Sequence, residues 1–514
     1  MREGAVAKAM LSVFDHGAPP PCPAPFNLAA FVLRHAGDLP DKVALSILRP
    51  AASDDWTYGA LEQAVRGTGT GLLQAGLKPG QIVLMRLGNT VEFPIAYLGA
   101  IAAGLVPVPT SSQLTAPETA KMIAELDPAA ILRDPAVACA DHPLQIDLDA
   151  LDAMRSLPPC DWAMGDPDRM AYVIYTSGTS GKPRAVAHAH RAIWARQMMI
   201  DGWYGLKPDD RLCHAGAFNW TYTLGTGLMD PWAIGATALI PEPGTDITNL
   251  PHRLRHHRAT IFAAAPGVYR KFLQDHPNLH LPDLRHGLCA GEKLSTHLHE
   301  QWSAATGTEL HEAYGMSECS TFISSSPSKP ARSEALGQPQ PGRRVAILGP
   351  DGAPVVQGDE GTIAVHRDDP GLMLGYLNAP DEFAARMQGD WFLTGDQGAM
   401  TVDGQIFYLG RDDDMMNAGG YRVSPVEVES ALATHPGITQ AGAAEVEIKR
   451  DTRVIVAFYT GPAELDAAEL QAYVGDRLAR YKQPRAFVHL DAMPIGGNGK
   501  LLRRALPAYF KSES

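Results

Sequence analysis

The sequence predicts an α/β protein: a large N-terminal domain of layered α/β subdomains plus a β-rich subdomain, then a small α+β C-terminal domain. Three observations predict it. Apolar runs of strand length alternate with helical patterns from residue 26 to about residue 326, as in parallel strands joined by helices. Short alternating strands and turns such as Gly349-Pro350-Asp351-Gly352 and Asp403-Gly404 fill residues 337–409, the pattern of a β-rich unit. Arg411-Asp412-Asp413-Asp414 then marks a boundary, because three adjacent carboxylates suit neither a core nor a strand. The domains are accordingly expected at 1–410 and 411–514.

Each element has its own signal. Residues 1–26 form a proline-rich lead-in, with Pro19 to Pro21 and Pro23 blocking regular structure. Helix 27–36, strand 43–47, helix 58–75, strand 82–86 and helix 91–103 follow from apolar periodicity. Thr115-Ala116-Pro117-Glu118 is a capping box with proline in the first turn, opening a helix that ends before Pro128, with a strand at 130–133. A second block starts after the loop 158–168, with a strand at 170–174 and a helix at 191–201. Beyond the boundary, helix 425–433, strand 454–459 and helix 467–479 suit a compact unit of about one hundred residues. The uncharged stretch 93–113 contains Pro94, Gly99, Gly104, Pro107 and Pro109, so it reads as a buried helix running into a strand and not as a membrane span.

Composition bounds the function. With 514 residues, 45% hydrophobic and 20% charged, the chain is expected to be folded in several domains. A net charge of −13 argues against general affinity for nucleic acid or anionic membranes. Residues 411–514 carry 13 Lys and Arg against 14 Asp and Glu, leaving −12 for the first 410, so the C-terminal part can present cations to a polyanion. Six cysteines without a C-x-x-C pair suit reduced thiols in a cytoplasmic protein. Lys8, Asp15 and His16 interrupt the N-terminal apolar run, so no secretory segment is expected. The pairs His188/His190 and His256/His257 complete no metal set and read as structural. A homodimer is compatible with all of this.

The chemistry centres on Tyr175-Thr176-Ser177-Gly178-Thr179-Ser180-Gly181-Lys182-Pro183-Arg184, which follows the strand at 170–174. Hydroxyls and glycines there bring Oγ atoms and backbone N–H groups close to anionic oxygens. It is not a Walker A loop, since Pro183 follows Lys182 where that motif needs Ser or Thr. Tyr314-Gly315-Met316-Ser317-Glu318, Thr394-Gly395-Asp396, Gly410-Arg411-Asp412-Asp413-Asp414, Gly419-Gly420-Tyr421-Arg422 and Gly499-Lys500 follow in order.

In order and spacing these motifs resemble the adenylate-forming superfamily: acyl-CoA and aryl-CoA synthetases, adenylation domains of peptide synthetases, and luciferases. The resemblance covers nearly the whole chain. It implies an AMP-forming carboxylic acid–CoA ligase using ATP, Mg2+ and CoA, with a small-molecule acid as partner. Thr176, Ser177, Gly178, Thr179, Ser180, Gly181 and Lys182 would hold the β- and γ-phosphates, with Arg184 on pyrophosphate. Glu318 would bind Mg2+ and Ser317 reach the α-phosphate. Asp396 would anchor the ribose and Arg411 the ribose or α-phosphate side. Tyr314 and Gly315 would flank adenine opposite Ala290-Gly291-Glu292. Lys500 would lie between carboxylate and α-phosphate. Gly419, Gly420, Tyr421 and Arg422 would line the CoA channel after the mobile small domain swings about Asp413. The family usually has Thr at Ser317, Lys at Arg184 and Gly at Ala185, which leaves the loop's detailed geometry open.

The acid pocket is expected from Ala217, Phe218, Asn219, Trp220, Tyr222, Thr223, Leu224 and Gly225, with Ala290 and Met316 at its floor. Its aromatics favour a flat or compact apolar acid, and the segment resembles benzoate- and 2-aminobenzoate-type CoA ligases. Two alternatives stay open at this point. One is an adenylation enzyme that loads a carrier protein's phosphopantetheine; the other is a silent nucleotide-binding relative, which would be expected to lose Lys500 or Glu318.

Overall fold

Short segments whose residues are mostly buried pair into the central sheet. Strands Val43–Leu48, Thr237–Pro241, Arg211–His214, Ile261–Ala264, His286–Ala290 and Glu309–Met316 lie side by side in parallel. The computed structural model describes residues 10–17, 19–176, 184–276, 278–418, 421–449, 452–478, 480–496 and 500–510. At Glu309–Met316 the sheet changes character. The chain turns back antiparallel through Ser320–Ser324, and the sheet runs on through Ala335–Pro339, Ile406–Arg411, Trp391–Met400, Glu360–His366 and Val345–Leu348 to Val13–Phe14. The β-rich subdomain is thus continuous with the parallel sheet.

A second, parallel sheet holds Val106–Pro109, Ile82–Arg86, Ala130–Arg133 and Gln145–Asp147. Helix Glu92–Ala102 packs on it, buried on all sides, and helix Tyr58–Gln74 packs on that helix in turn. The two cross closely because Gly99 has no side chain: a Cβ there would lie 2.8 Å from the Val65 carbonyl oxygen. This accounts for the long uncharged stretch without a membrane, and no helix among the described residues is long and apolar enough to cross one.

Met170–Thr176 and Arg184–Ala189 form an antiparallel hairpin, with Thr176 opposite Arg184. The glycine-rich segment therefore joins two strands, not a strand and a helix. Residues 421–510 build a separate sheet of Gln440–Lys449, Thr452–Thr460 and Ala486–His489, with Pro425–Ala433 and Ala467–Gly475 beside it. Its two faces have their own apolar clusters, around Val428, Ile455 and Leu470 and around Val456, Phe458 and Leu506.

Two helices differ from expectation. The helix predicted over 191–201 is a single turn, Ala192–Ala195, followed by a π-helical turn Ile200–Tyr204; Asp201 and Gly202 are poor α-helix formers, and Gly205 ends the turn at φ 56°. The helix predicted over 27–36 is regular only over Leu28–Val32, where the Asn27 side chain caps it.

Arg343 and Asp369 form an ion pair whose side chains are both fully buried. Asp369 also accepts from the Gly371 amide, fixing the loop whose Met373 amide donates to the Glu318 carbonyl at 2.7 Å. Arg343→Met should therefore cost about 3–5 kcal/mol by leaving a buried carboxylate without its partner. Breaking the surface pair Arg258–Asp283 should cost under about 1 kcal/mol; urea denaturation of both variants checks the contrast.

Candidate active site

The site begins where the parallel sheet ends. Strand Glu309–Met316 is irregular between Tyr314 and Gly315, and a Cβ on Gly315 would lie 2.1 Å from the Ser320 carbonyl oxygen. Only glycine lets the return strand pass so close. Ser320 itself adopts φ 61°, and the tight turn between the two strands presents Ser317 and Glu318.

Both residues are held from behind. The Ser317 carbonyl accepts from His188 Nε2 at 2.7 Å, while that imidazole stacks on Tyr172 at 4.9 Å. Donation through Nε2 sets the tautomer and leaves Nδ1, buried and without a hydrogen-bond partner, as the unprotonated nitrogen. Burial pushes the His188 pKa down to about 4. Glu318 is buried, and its Oε1 accepts from Tyr376 Oη at 2.7 Å and from Arg386 Nη1 at 3.4 Å.

Asp396 comes from strand Trp391–Met400, directly opposite Arg411. It accepts the Tyr314 hydroxyl. Burial raises its pKa, while that hydrogen bond, Arg411 and Lys500 oppose the rise. Lys500 responds the other way: burial lowers its pKa, and the charges of Glu292 and Asp396 oppose the loss. Glu312, two residues before Tyr314 and so on the same face of its strand, is buried, which raises its pKa. It accepts from Lys293 Nζ and the Leu294 amide, both at 2.8 Å.

These groups share one cavity of about 800 Å³. It gathers Arg184, Gly291, Glu292, Tyr314, Gly315, Met316, Ser317, Glu318, Asp396, Arg411 and Lys500 from segments up to 316 residues apart in sequence. Ala290 ends the adjoining strand, buried. Thr176 closes its strand at the hairpin. Ser177, Gly178, Thr179, Ser180, Gly181 and Lys182 lie outside the described residues, as do Gly419 and Gly420. Tyr421 and Arg422 belong to a short strand paired with Met416–Ala418, and Asp413 to the turn Asp412–Asp414.

The expected acid-pocket segment is more dispersed. Tyr222–Met229 is π-helical, and i→i+5 bonding changes which side chains share a face. Phe218 is buried against Phe93, with ring centroids 5.7 Å apart, and Asn219 lines a separate cavity of about 210 Å³ with Asn89 and Thr110. Trp220 lines neither cavity. Tyr222 donates to the Leu288 carbonyl at 3.1 Å and Thr223 is buried. Gly225 faces Arg196, whose Nη2 would lie 2.2 Å from a Cβ there.

Sequence reasoning missed Glu312, Tyr376, Glu382 and Arg386, all of which line the main cavity. Glu312 carried a signal, since alternate strand residues share a face with Tyr314. The other three reach the cavity only through tertiary folding.

Comparison with known proteins follows the geometry. The sequence model of the AMP-binding enzyme family matches residues 32–377, and that of the AMP-binding enzyme C-terminal domain matches residues 427–500. The 3-hydroxybenzoate–CoA ligase of Aromatoleum sp. (strain CIB) is 29% identical, over 89% of this chain and 92% of the relative. Benzoate–CoA ligase of Thauera aromatica is 29% identical, over 96% and 98%. The crystal structure of a benzoate CoA ligase from Burkholderia xenovorans LB400 superposes with a TM-score of 0.84 at 28% identity, covering 94% of this chain and all of that one.

The His188 geometry generates a test. Its folded pKa lies below the unfolded value, so unfolding takes up a proton between about pH 6.5 and pH 4. Its contribution is complete above that window, and stability is lost as pH falls through it, by up to about 1.4 kcal/mol per pH unit for this one proton. NMR of histidine-labelled protein should show the ring neutral to about pH 4; titration near the ordinary value would contradict the assigned contact.

Proposed function

The chain belongs to the AMP-binding enzyme family, and from that premise we propose that it is an AMP-forming carboxylic acid–CoA ligase acting on an aromatic acid. The observation that carries the proposal is the single cavity holding Glu318, Asp396, Arg411 and Lys500. The aromatic class is supported by the benzoate- and 3-hydroxybenzoate-specific names of two relatives.

In the first step a carboxylate oxygen of the acid attacks the α-phosphorus of ATP, the bond to the bridging oxygen breaks, and pyrophosphate leaves. Lys500 stands between the two anions, and Arg411 and Ser317 meet the α-phosphate. Asp396 accepts from both ribose hydroxyls, and Tyr314 packs on adenine. Glu318 offers a buried carboxylate, which fits a hexacoordinate cation bound through one carboxylate, phosphates and water; among the described residues no group of three His, Cys, Asp or Glu competes for that role. Bound there, Mg2+ supplies charge neutralisation on the departing phosphates. Arg184 and the segment 176–182 hold the pyrophosphate.

In the second step the CoA thiol sulfur attacks the acyl carbon, AMP leaves with the C–O bonding pair, and the thiol proton is lost to solvent. No side chain of the protein becomes covalently bound. Gly419, Gly420, Tyr421 and Arg422 line the CoA path after rotation about Asp413. Release of AMP from a panel of aromatic and medium-chain acids, with and without CoA, tests the function. Product formation only with a carrier protein would favour the carrier-loading alternative. Six free cysteines support a reducing, cytoplasmic location.

Lys500→Ala should slow adenylation by about 100–1,000-fold, the scale of one electrostatic contact to the transition state, while thioester formation from supplied acyl-adenylate persists. Equal loss of both half-reactions would remove the assigned role. Asp413→Pro, by fixing φ, should permit pyrophosphate release yet block acyl-CoA formation. Normal acyl-CoA turnover in that variant would place the pivot elsewhere.

A further inference from the structure

Helix Pro380–Ala385 and the adjoining Arg386 bring two opposite charges to the cavity, Glu382 and Arg386, spaced four residues apart so that they share a face. Each engages a residue assigned to the phosphate end of the site. Glu382 accepts from Arg184 Nε, and Arg386 Nη1 lies 3.4 Å from Glu318 Oε1. The helix thus matches the cation expected on pyrophosphate and the carboxylate expected on the metal with one counter-charge apiece.

The two halves are not equally tight. Glu318 Oε1 takes its shorter bond, 2.7 Å, from Tyr376, so the carboxylate stays oriented without Arg386. The guanidinium lies 5.8 Å from the Tyr376 ring centroid and 5.9 Å from that of Phe392, which steers it by cation–π attraction. Its side chain remains 29% exposed, toward the cavity. A planar guanidinium has five donors and binds phosphate oxygens two at a time.

We propose that Arg386 is a further nucleotide-binding residue, which neutralises Glu318 before ATP arrives and then donates to the terminal phosphate oxygens when Glu318 turns to the metal. Glu382 is the matching positioning residue, holding Arg184 at the cavity wall. Before binding, Arg184, Arg386, Glu318 and Glu382 sum to zero charge. ATP with one Mg2+ brings a net charge of about −2, so the two arginines turn to the phosphates while the cation takes over Glu318, and Lys500 and Arg411 in the same cavity offset the remainder.

The proposal rests on the nucleotide reading of this cavity, and binding measurements separate the two. Calorimetric titrations of the full chain with ATP and with AMP, each with Mg2+, compare wild type with Arg386→Gln. ATP affinity should fall about tenfold, and AMP affinity should stay within about twofold because AMP lacks the β- and γ-phosphates. In metal-free buffer Glu318→Gln should tighten ATP binding, since it removes the carboxylate that competes for Arg386. Unchanged ATP affinity in Arg386→Gln, or equal weakening of ATP and AMP, would overturn the assignment. Should Arg386→Gln fail to fold, Arg386→Lys keeps the charge but loses the fork. It should weaken ATP by about threefold and leave AMP unchanged, and no selectivity for ATP would count against the proposal. Wild type that binds neither nucleotide overturns the nucleotide reading and this proposal with it.

Discussion

Charge pairing inside the cavity is the constraint on which the rest depends. Among the described residues seven cationic side chains line it, Arg184, Arg270, Lys293, Arg386, Arg411, Lys500 and Arg503, against seven carboxylates. Neither set could be buried alone, because an unpaired charge away from water costs several kcal/mol. Arg270 meets Glu292 at 3.6 Å, Lys293 meets Glu312 at 2.8 Å, and Arg503 meets Glu429 at 2.6 Å. The described cations of the cavity are thereby offset without a bound anion. Binding exchanges partners instead of exposing new charges, so the surrounding backbone must hold those partners within reach.

That requirement explains the most strained part of the sheet. The turn carrying Ser317 and Glu318 is held from three sides: by His188 on the Ser317 carbonyl, by the Met373 amide on the Glu318 carbonyl, and by Tyr376 on the Glu318 carboxylate. Ser320 in the left-handed region follows immediately, and its hydroxyl accepts from Arg196. Arg196 is itself buried against Asp230 at 2.7 Å, between the π-helical turns Ile200–Tyr204 and Tyr222–Met229. Two rare helical forms converge on one ion pair, through the Tyr204 hydroxyl and Thr226. Local backbone strain is thus paid for by buried polar contacts that no sequence window contains.

Much of this was legible in sequence where local chemistry decides. The capping box at Thr115 and Glu118 forms as written, the strand at 82–86 keeps its bounds, and glycine at 315 marks a close backbone approach. Glu318, Asp396 and Lys500, each in its own ordered motif, line one cavity. Three-dimensional pairing was less accessible. Strand Arg184–Ala189 also pairs with Gly375–Tyr376, nearly two hundred residues on, and the β-rich unit joins the parallel sheet because the chain reverses at Ser320. The acid-side segment carried no secondary-structure signal of its own: Tyr222–Met229 is π-helical, and Phe218 and Gly225 meet Phe93 and Arg196, neighbours distant in sequence.

Lys500 brings the C-terminal part of the chain to the cavity of the larger part. Its turn is closed by the Ile495–Leu501 bridge and the Gly496 amide bonding to its carbonyl at 2.8 Å, and Leu501 packs with Leu506 in the C-terminal core. Asp396 and Glu292, whose charges support its protonated form, belong to the larger part. An ammonium buried without them would lose its proton more readily. Docking therefore both buries the ammonium, which favours loss of its proton, and supplies the two carboxylates that oppose that loss.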